Sequence, residues 1–108
     1  MCDDFRVEGL AVIAGFGDPG TEDIYNLERT KEARKTLPSE LHVVAKRKLN
    51  FIALATCLKD LSCPPGNRLE RLTGNLANYH SIRINAQWRI IFVWDDAGAH
   101  DVKIVDYH

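Results

Sequence analysis

The sequence predicts an α+β domain, with N-terminal helices packed on one face of a C-terminal antiparallel sheet. Three observations carry that expectation. Apolar residues recur at three- and four-residue spacing as far as Ala53, and the period falls to two after Gly66. Between the two regimes stands Cys63-Pro64-Pro65-Gly66, which no helix continues. The chain has 108 residues, enough for one domain and too few for two. Residues 1–11 read as a loosely ordered N-terminal extension and residues 12–108 as the single domain.

Each element has its local reason. Val12-Ile13-Ala14-Gly15-Phe16 is short, apolar and closed by the turn signal Asp18-Pro19-Gly20, so it is a candidate N-terminal strand. Thr21 is the expected N-cap of a first helix, with Glu22 and Asp23 where the helix dipole favours acid. That helix runs through Ile24, Tyr25 and Leu27, with a second piece from Glu32 to Lys35 that ends before Pro38. The clearest helix starts at Ser39. Leu41, Val44, Ala45, Leu49, Ile52 and Ala53 form one apolar stripe on it, and Lys46, Arg47 and Lys48 lie off that stripe.

Past Gly66, Leu69–Leu72 fits a strand and Thr73-Gly74-Asn75 a turn. Three antiparallel strands follow, with Ile82 and Ile84, then Trp88, Ile90, Phe92 and Trp94, then Val102 and Ile104 on one face. The two tryptophans therefore belong to the core. A three-residue turn at Asn85-Ala86-Gln87 sets Ile84 opposite Trp88, Ile82 opposite Ile90 and Arg83 opposite Arg89. Pairing Phe92 with Val102 across an Asp95–His100 loop then brings Arg89 near Val105 and Gln87 near Tyr107.

Charge is unevenly spread behind a net of −1. Residues 1–28 carry one basic and seven acidic side chains, residues 29–89 twelve basic and four acidic, and residues 90–108 one basic and four acidic. The middle block of +8 is a footprint for a polyanion if folding gathers it on one face. The apolar stretch from Gly9 to Gly17 is too short to span a membrane. Acid at Asp3 and Asp4 argues against a secretory signal. The three cysteines form no C-x-x-C pair and Cys57 and Cys63 have no evident reason to meet, which suits a reducing cytoplasm. His80, Cys57, Cys63, His100 and His108 show no metal-ligand spacing, and neither a glycine-rich phosphate loop nor a hydrolase elbow occurs.

The expected register gives the sheet an open face bearing Ser81, Arg83, Arg89, Lys103 and Tyr107. Opposed arginines destabilise a sheet unless something compensates them. Either Glu70, Asp101 or Asp106 pairs them, or they bind an anion such as a phosphodiester, whose oxygens a guanidinium fork matches.

The stretch Asn67-Arg68-Leu69-Glu70-Arg71-Leu72-Thr73-Gly74-Asn75, then Ser81-Ile82-Arg83-Ile84-Asn85-Ala86-Gln87-Trp88-Arg89-Ile90, and finally Val105-Asp106-Tyr107-His108 resembles the HigB killer toxins of the RelE/ParE superfamily. The resemblance covers about residues 12–108. It implies a type II toxin that cleaves mRNA on the translating ribosome, and a helix-turn-helix HigA-like antitoxin that neutralises it. The toxin alone is expected to be a monomer, with no membrane association and no metal or organic cofactor.

Carried over position by position, the family's catalytic site falls on Arg83, Arg89, Tyr107 and His108, with Glu70 on the neighbouring strand. RNA contacts would come from Arg68, Arg71, Ser81, Lys103, Lys46 and Lys48. Better-known members have a histidine where this chain has Glu70 and a lysine where it has Thr73. That departure leaves His108 as the site's one side chain suited to proton transfer near neutral pH. The rival expectation is a ParE-like inhibitor that binds DNA gyrase without cleaving anything, a role that needs neither the paired arginines nor Tyr107-His108.

Overall fold

The computed structural model describes residues 13–55, 57–62, 67–95 and 98–106. The expected extension over residues 1–11, the Cys63–Gly66 punctuation, and Tyr107 and His108 lie outside the described residues. The α+β architecture is as the periodicity predicts. Helices α1 (Pro19–Tyr25), α2 (Lys31–Thr36) and α3 (His42–Leu54) precede strands β1 (Glu70–Arg71), β2 (Tyr79–Arg83), β3 (Trp88–Asp95) and β4 (Gly98–Asp106). The strands form one antiparallel sheet in the order β1-β2-β3-β4.

One core joins the two halves. Ile24 of α1, Ala33 of α2, and Ala45, Leu49 and Ile52 of α3 pack with Ile82, Ile90, Phe92, Val102 and Ile104 of the sheet. The stripe on α3 is thus the buried one, although the helix proper begins at His42 after a single 3₁₀ turn over Ser39–Leu41. Trp88 and Trp94 sit partly buried against the same core.

The helix starts differ from expectation. Asp18, not Thr21, caps α1, and its carboxylate accepts the Thr21 N–H at 2.7 Å. Proline at the first helical position explains this, because Pro19 has no N–H to satisfy and its φ suits a helix. Thr21 is instead fully buried, and its hydroxyl accepts the Ile104 N–H at 3.0 Å, tying α1 to β4. The first helix stops at Tyr25. Leu27 lies beyond it with φ 59°, its N–H on the Ile24 carbonyl, while Glu28 N–H reaches Asp23. This is a Schellman ending, with leucine where glycine is usual.

The candidate N-terminal strand is reduced to a parallel bridge between Phe16 and Val102, extended by Ala14 N–H to Ala99 and Gly17 N–H to Val102. Strand β1 is likewise shorter than Leu69–Leu72. Arg68, with φ 48°, breaks the extended backbone just before it. The Thr73–Asn75 turn is a 3₁₀ turn over Gly74–Leu76, in which Gly74 takes a φ of 68°.

Register follows the apolar pattern. Ile82 pairs with Ile90, Arg83 with Arg89, and Arg89 with Val105. One feature breaks it: Ile91 faces Lys103 but Val93 faces His100, so β4 carries an extra residue opposite Phe92. Asp101 takes the left-handed conformation there, with φ 53°. The bulge lets Ala99 and Val102, three apart, both reach the core. It also shortens the expected Asp95–His100 loop, because Asp95 already pairs with Gly98.

Candidate nucleic-acid interface

Strand alternation puts Tyr79, Ser81 and Arg83 on the sheet face turned away from the helices, beside Arg89 and Ile91 of β3 and Lys103 of β4. This face is less open than the sequence suggests. Ser81 and Ile91 are buried and Arg89 is 8% exposed. Long side chains account for part of this cover, since Arg89 reaches along the sheet instead of standing off it.

Arg89 Nη1 donates to Ser81 Oγ at 2.8 Å and to the Arg68 carbonyl at 3.4 Å. The Glu70 carboxylate lies 3.1 Å from the same nitrogen. Strand pairing makes this possible, because Glu70 faces Ser81 across β1 and β2, and Ser81 lies on the same side of β2 as the Arg83–Arg89 pair. Glu70 therefore holds Arg89. The opposed arginines are compensated on one side only.

Arg83 is the other member of the pair. It is half-buried and, among the described residues, makes no hydrogen bond or ion pair. A fixed, buried guanidinium facing a partnerless one is the arrangement that a bridging anion completes, since a phosphodiester offers two oxygens to two forks. Arg71 and Thr73 line a shallow 440 Å³ depression on the β1 side, together with Glu70, Leu72 and Leu76.

The remaining cations divide. Lys103 stays on this face, 4.0 Å from the Asp101 carboxylate and 5.5 Å from the Tyr79 ring centre. Arg68 and Arg71 belong to the β1 edge, just before the strand and within it. Lys46 and Lys48 belong to the helical layer. The Lys46 ammonium donates to the Tyr25 carbonyl at 2.6 Å and lies over the Tyr25 ring, and that of Lys48 donates to Asn67 Oδ1 at 2.6 Å. Burial and the neighbouring Arg47 hold the Lys48 pKa below its ordinary value.

His80 points to the core side, 6.0 Å from the Phe92 ring, and burial with nearby Arg71 lowers its pKa. It is thus remote from the arginine pair in orientation. Among the described residues no cluster of histidine, cysteine and acid could hold a metal ion. Cys57 is disulfide-bonded, against the expectation that the cysteines stay apart; Cys2 and Cys63 lie outside the described residues. No helix of the described residues is long and apolar enough to cross a membrane.

Sequence reasoning missed one pair on this face. The Tyr79 hydroxyl donates to the Asp101 carboxylate. The parity of Tyr79 with Arg83 is the available signal for the tyrosine. Nothing marks Asp101 except the three-residue spacing of Ala99 and Val102.

With this geometry in place, comparison with known proteins decides the family. Residues 15–108 match the family described as RelE-like toxin of type II toxin-antitoxin system HigB. The chain belongs to the HigB toxins. It is 39% identical over 84 residues to Toxin HigB-1 of Vibrio cholerae, covering 78% of this chain and 85% of that one. It is also 33% identical over 73 residues to an uncharacterised protein of Haemophilus influenzae, covering 68% of this chain and 72% of that protein. As a type II toxin it has an antitoxin partner, and the HigB family is one of endoribonucleases at the general level.

Proposed function

We propose that this toxin arrests growth by cutting messages on the translating ribosome, using the sheet face that carries Arg83 and Arg89. The observation that carries the reading is the asymmetric arginine pair: Arg89 is prepositioned by Ser81 and Glu70, and Arg83 opposite it is unpaired among the described residues.

The chemistry is transesterification. The ribose 2′ oxygen attacks the scissile phosphorus, the bond from phosphorus to the 5′ oxygen breaks, and a 2′,3′-cyclic phosphate and a 5′ hydroxyl result. Arg83 and Arg89 stabilise the charge that builds on the phosphate oxygens, in a site that is organised before substrate arrives. His108 delivers a proton to the leaving 5′ oxygen, and Tyr107 positions the imidazole or the nucleotide. Glu70 acts through Arg89, and the 2′ proton passes to Glu70 or to the ribosome, which also supplies alignment of the message. This chemistry calls for no metal or organic cofactor.

Arg68, Arg71 and Lys103 extend the contact to flanking phosphates, while Ser81 contributes by fixing Arg89. Lys46 and Lys48 add positive potential from the helical layer. The antitoxin is a HigA-like helix-turn-helix protein. A carboxylate-bearing segment of it would be drawn to the same cations, and salt or charge reversal at Arg68 or Arg71 should weaken its binding. The toxin itself works as a monomer in the cytoplasm. The HigB match gives no support to gyrase inhibition.

Primer extension on total RNA after brief induction tests the reading. Discrete in-frame cuts within translated messages agree with it, and intact messages with supercoiling defects contradict it. In the same assay His108→Gln, which keeps chain length, should abolish cutting while antitoxin binding and the melting temperature hold. Wild-type cutting by that variant would move proton transfer to another group.

A further inference from the structure

Tyr79, on the same face as the arginine pair, is held in an unusual way. Its hydroxyl donates to the carboxylate of Asp101, yet the two residues are not on neighbouring strands. Tyr79 lies on β2 and Asp101 on β4, with Val93 of β3 paired to Tyr79 between them. Strands separated by one other are roughly 10 Å apart. A phenol spanning that gap must lie along the sheet.

The clamp is anchored on the β4 bulge. Asp101 adopts its carboxylate position from a left-handed conformation, φ 53°, which an aspartate tolerates less readily than glycine. The segment against it leaves no room for slack: a Cβ on Gly17 would come within 2.7 Å of Asp101 Oδ1 and 3.0 Å of Lys103 Cδ. The hydrogen bond to Asp101, with burial, raises the Tyr79 pKa, so the hydroxyl remains a donor throughout the neutral range. The Lys103 ammonium lies over this ring, 5.5 Å from its centre, so a base that stacks there displaces it toward the nucleic-acid backbone. A flat, immobilised aromatic beside a lysine is what single-stranded nucleic acid uses as a base-stacking surface, because every base has a π-face and the neighbouring cation meets the backbone.

We propose that Tyr79 is the stacking platform for one unpaired base of the message, with Asp101 as its positioning residue and Lys103 as its phosphate contact. The proposal rests on the reading that the arginine face receives RNA. The strand rise from Tyr79 to Arg83 is about 13 Å. The stacked base therefore belongs to a nucleotide that flanks the scissile phosphate without adjoining it. This extends the site from a phosphate clamp to a track along the sheet, running from the β2–β3 turn toward the β4 bulge.

The test uses ribosomes stalled on a message with one permissive cut site, and measures KM and kcat with the full-length toxin. Tyr79→Leu should raise KM by about 5- to 150-fold, the range found per stacked base, with kcat within about twofold. Tyr79→Phe keeps the ring and should lose far less. Asp101→Gly suits the left-handed backbone and frees the ring by breaking the same hydrogen bond as Tyr79→Phe, so its KM should rise about as much as that variant's. Messages with single abasic nucleotides placed along the flank then locate the base. One flanking position should weaken wild type as Tyr79→Leu does, and add nothing further to that variant. An unchanged KM for a folded Tyr79→Leu protein overturns the proposal. So does an abasic scan of wild type in which no flanking position matters, a result that stands even if the leucine variant fails to fold. Absence of any cutting by wild type would instead remove the ribonuclease reading, and the platform with it.

Discussion

The two faces of one sheet have been given opposite tasks, and the contrast shows how each is made. On the helix side, Ile82, Ile90 and Phe92 are fully buried, and alternation alone places them there. On the far side Ser81 is equally buried, but by polar contacts that end on Arg89. Apolar burial is non-directional, and any side chain of suitable volume contributes to it. Polar burial is directional, so Ser81, Glu70 and the Arg68 carbonyl fix one guanidinium at one place. The helix face stabilises the domain, and the far face gives up part of that stability to hold a charge ready.

The largest expected effect breaks the helix side. Phe92→Ala removes the largest fully buried side chain among the described residues and should cost about 3–5 kcal/mol, read as a lowered denaturation midpoint with toxicity lost through unfolding. A loss below about 1 kcal/mol would mean that the sheet does not depend on this packing.

The next effect sharpens the far side. Ser81→Ala deletes the acceptor 2.8 Å from Arg89 Nη1 and leaves a buried guanidinium short of one partner. It should cost about 1.5–3 kcal/mol in thermal or chemical melts, the range for a hydrogen bond to a charged group. Cleavage should fall less than on removal of Arg83, because Glu70 still holds Arg89.

The smallest effect lies where the two faces meet, at the β1 edge. Burial, then Arg71, lowers the His80 pKa from its ordinary 6.5. The unfolded chain therefore takes up a proton that folded His80 resists. The stabilising contribution is present above about pH 6.5 and is lost as pH falls through the lowered value. Chemical melts from neutral pH down to about pH 5 should show this acid slope for wild type and a flatter profile for His80→Phe.

The register of the arginine pair was legible because two independent constraints agree, the apolar alternation of residues 82–94 and a turn too short for any other pairing. Burial of Ser81 was not legible, since serine at a strand's outward position is ordinary and the reach of Arg89 to it is a tertiary contact. Thr21 misleads for a similar reason. Threonine before two acids has the form of an N-cap, and the stronger Asp18-Pro19 start displaces it. The Asp101 bulge depends on where Val102 must sit against Phe16 and Phe92, a tertiary demand that a two-residue period does not express. Tyr107 is assigned to the arginine face by expected register as well as by resemblance, whereas the catalytic role of His108 comes from the resemblance.

Side-by-side assay of Arg83→Ala for message cleavage and thermal stability tests the central claim most directly. Arg83 has no partner among the described residues and faces a like charge, so its removal should leave the melting temperature unchanged or slightly raised. Its loss from the phosphate clamp should lower the cleavage rate by about 100- to 1,000-fold. A variant that melts well below wild type would show that Arg83 serves the fold. One that cuts translated messages at the wild-type rate would show that the arginine face does not hold the scissile phosphate.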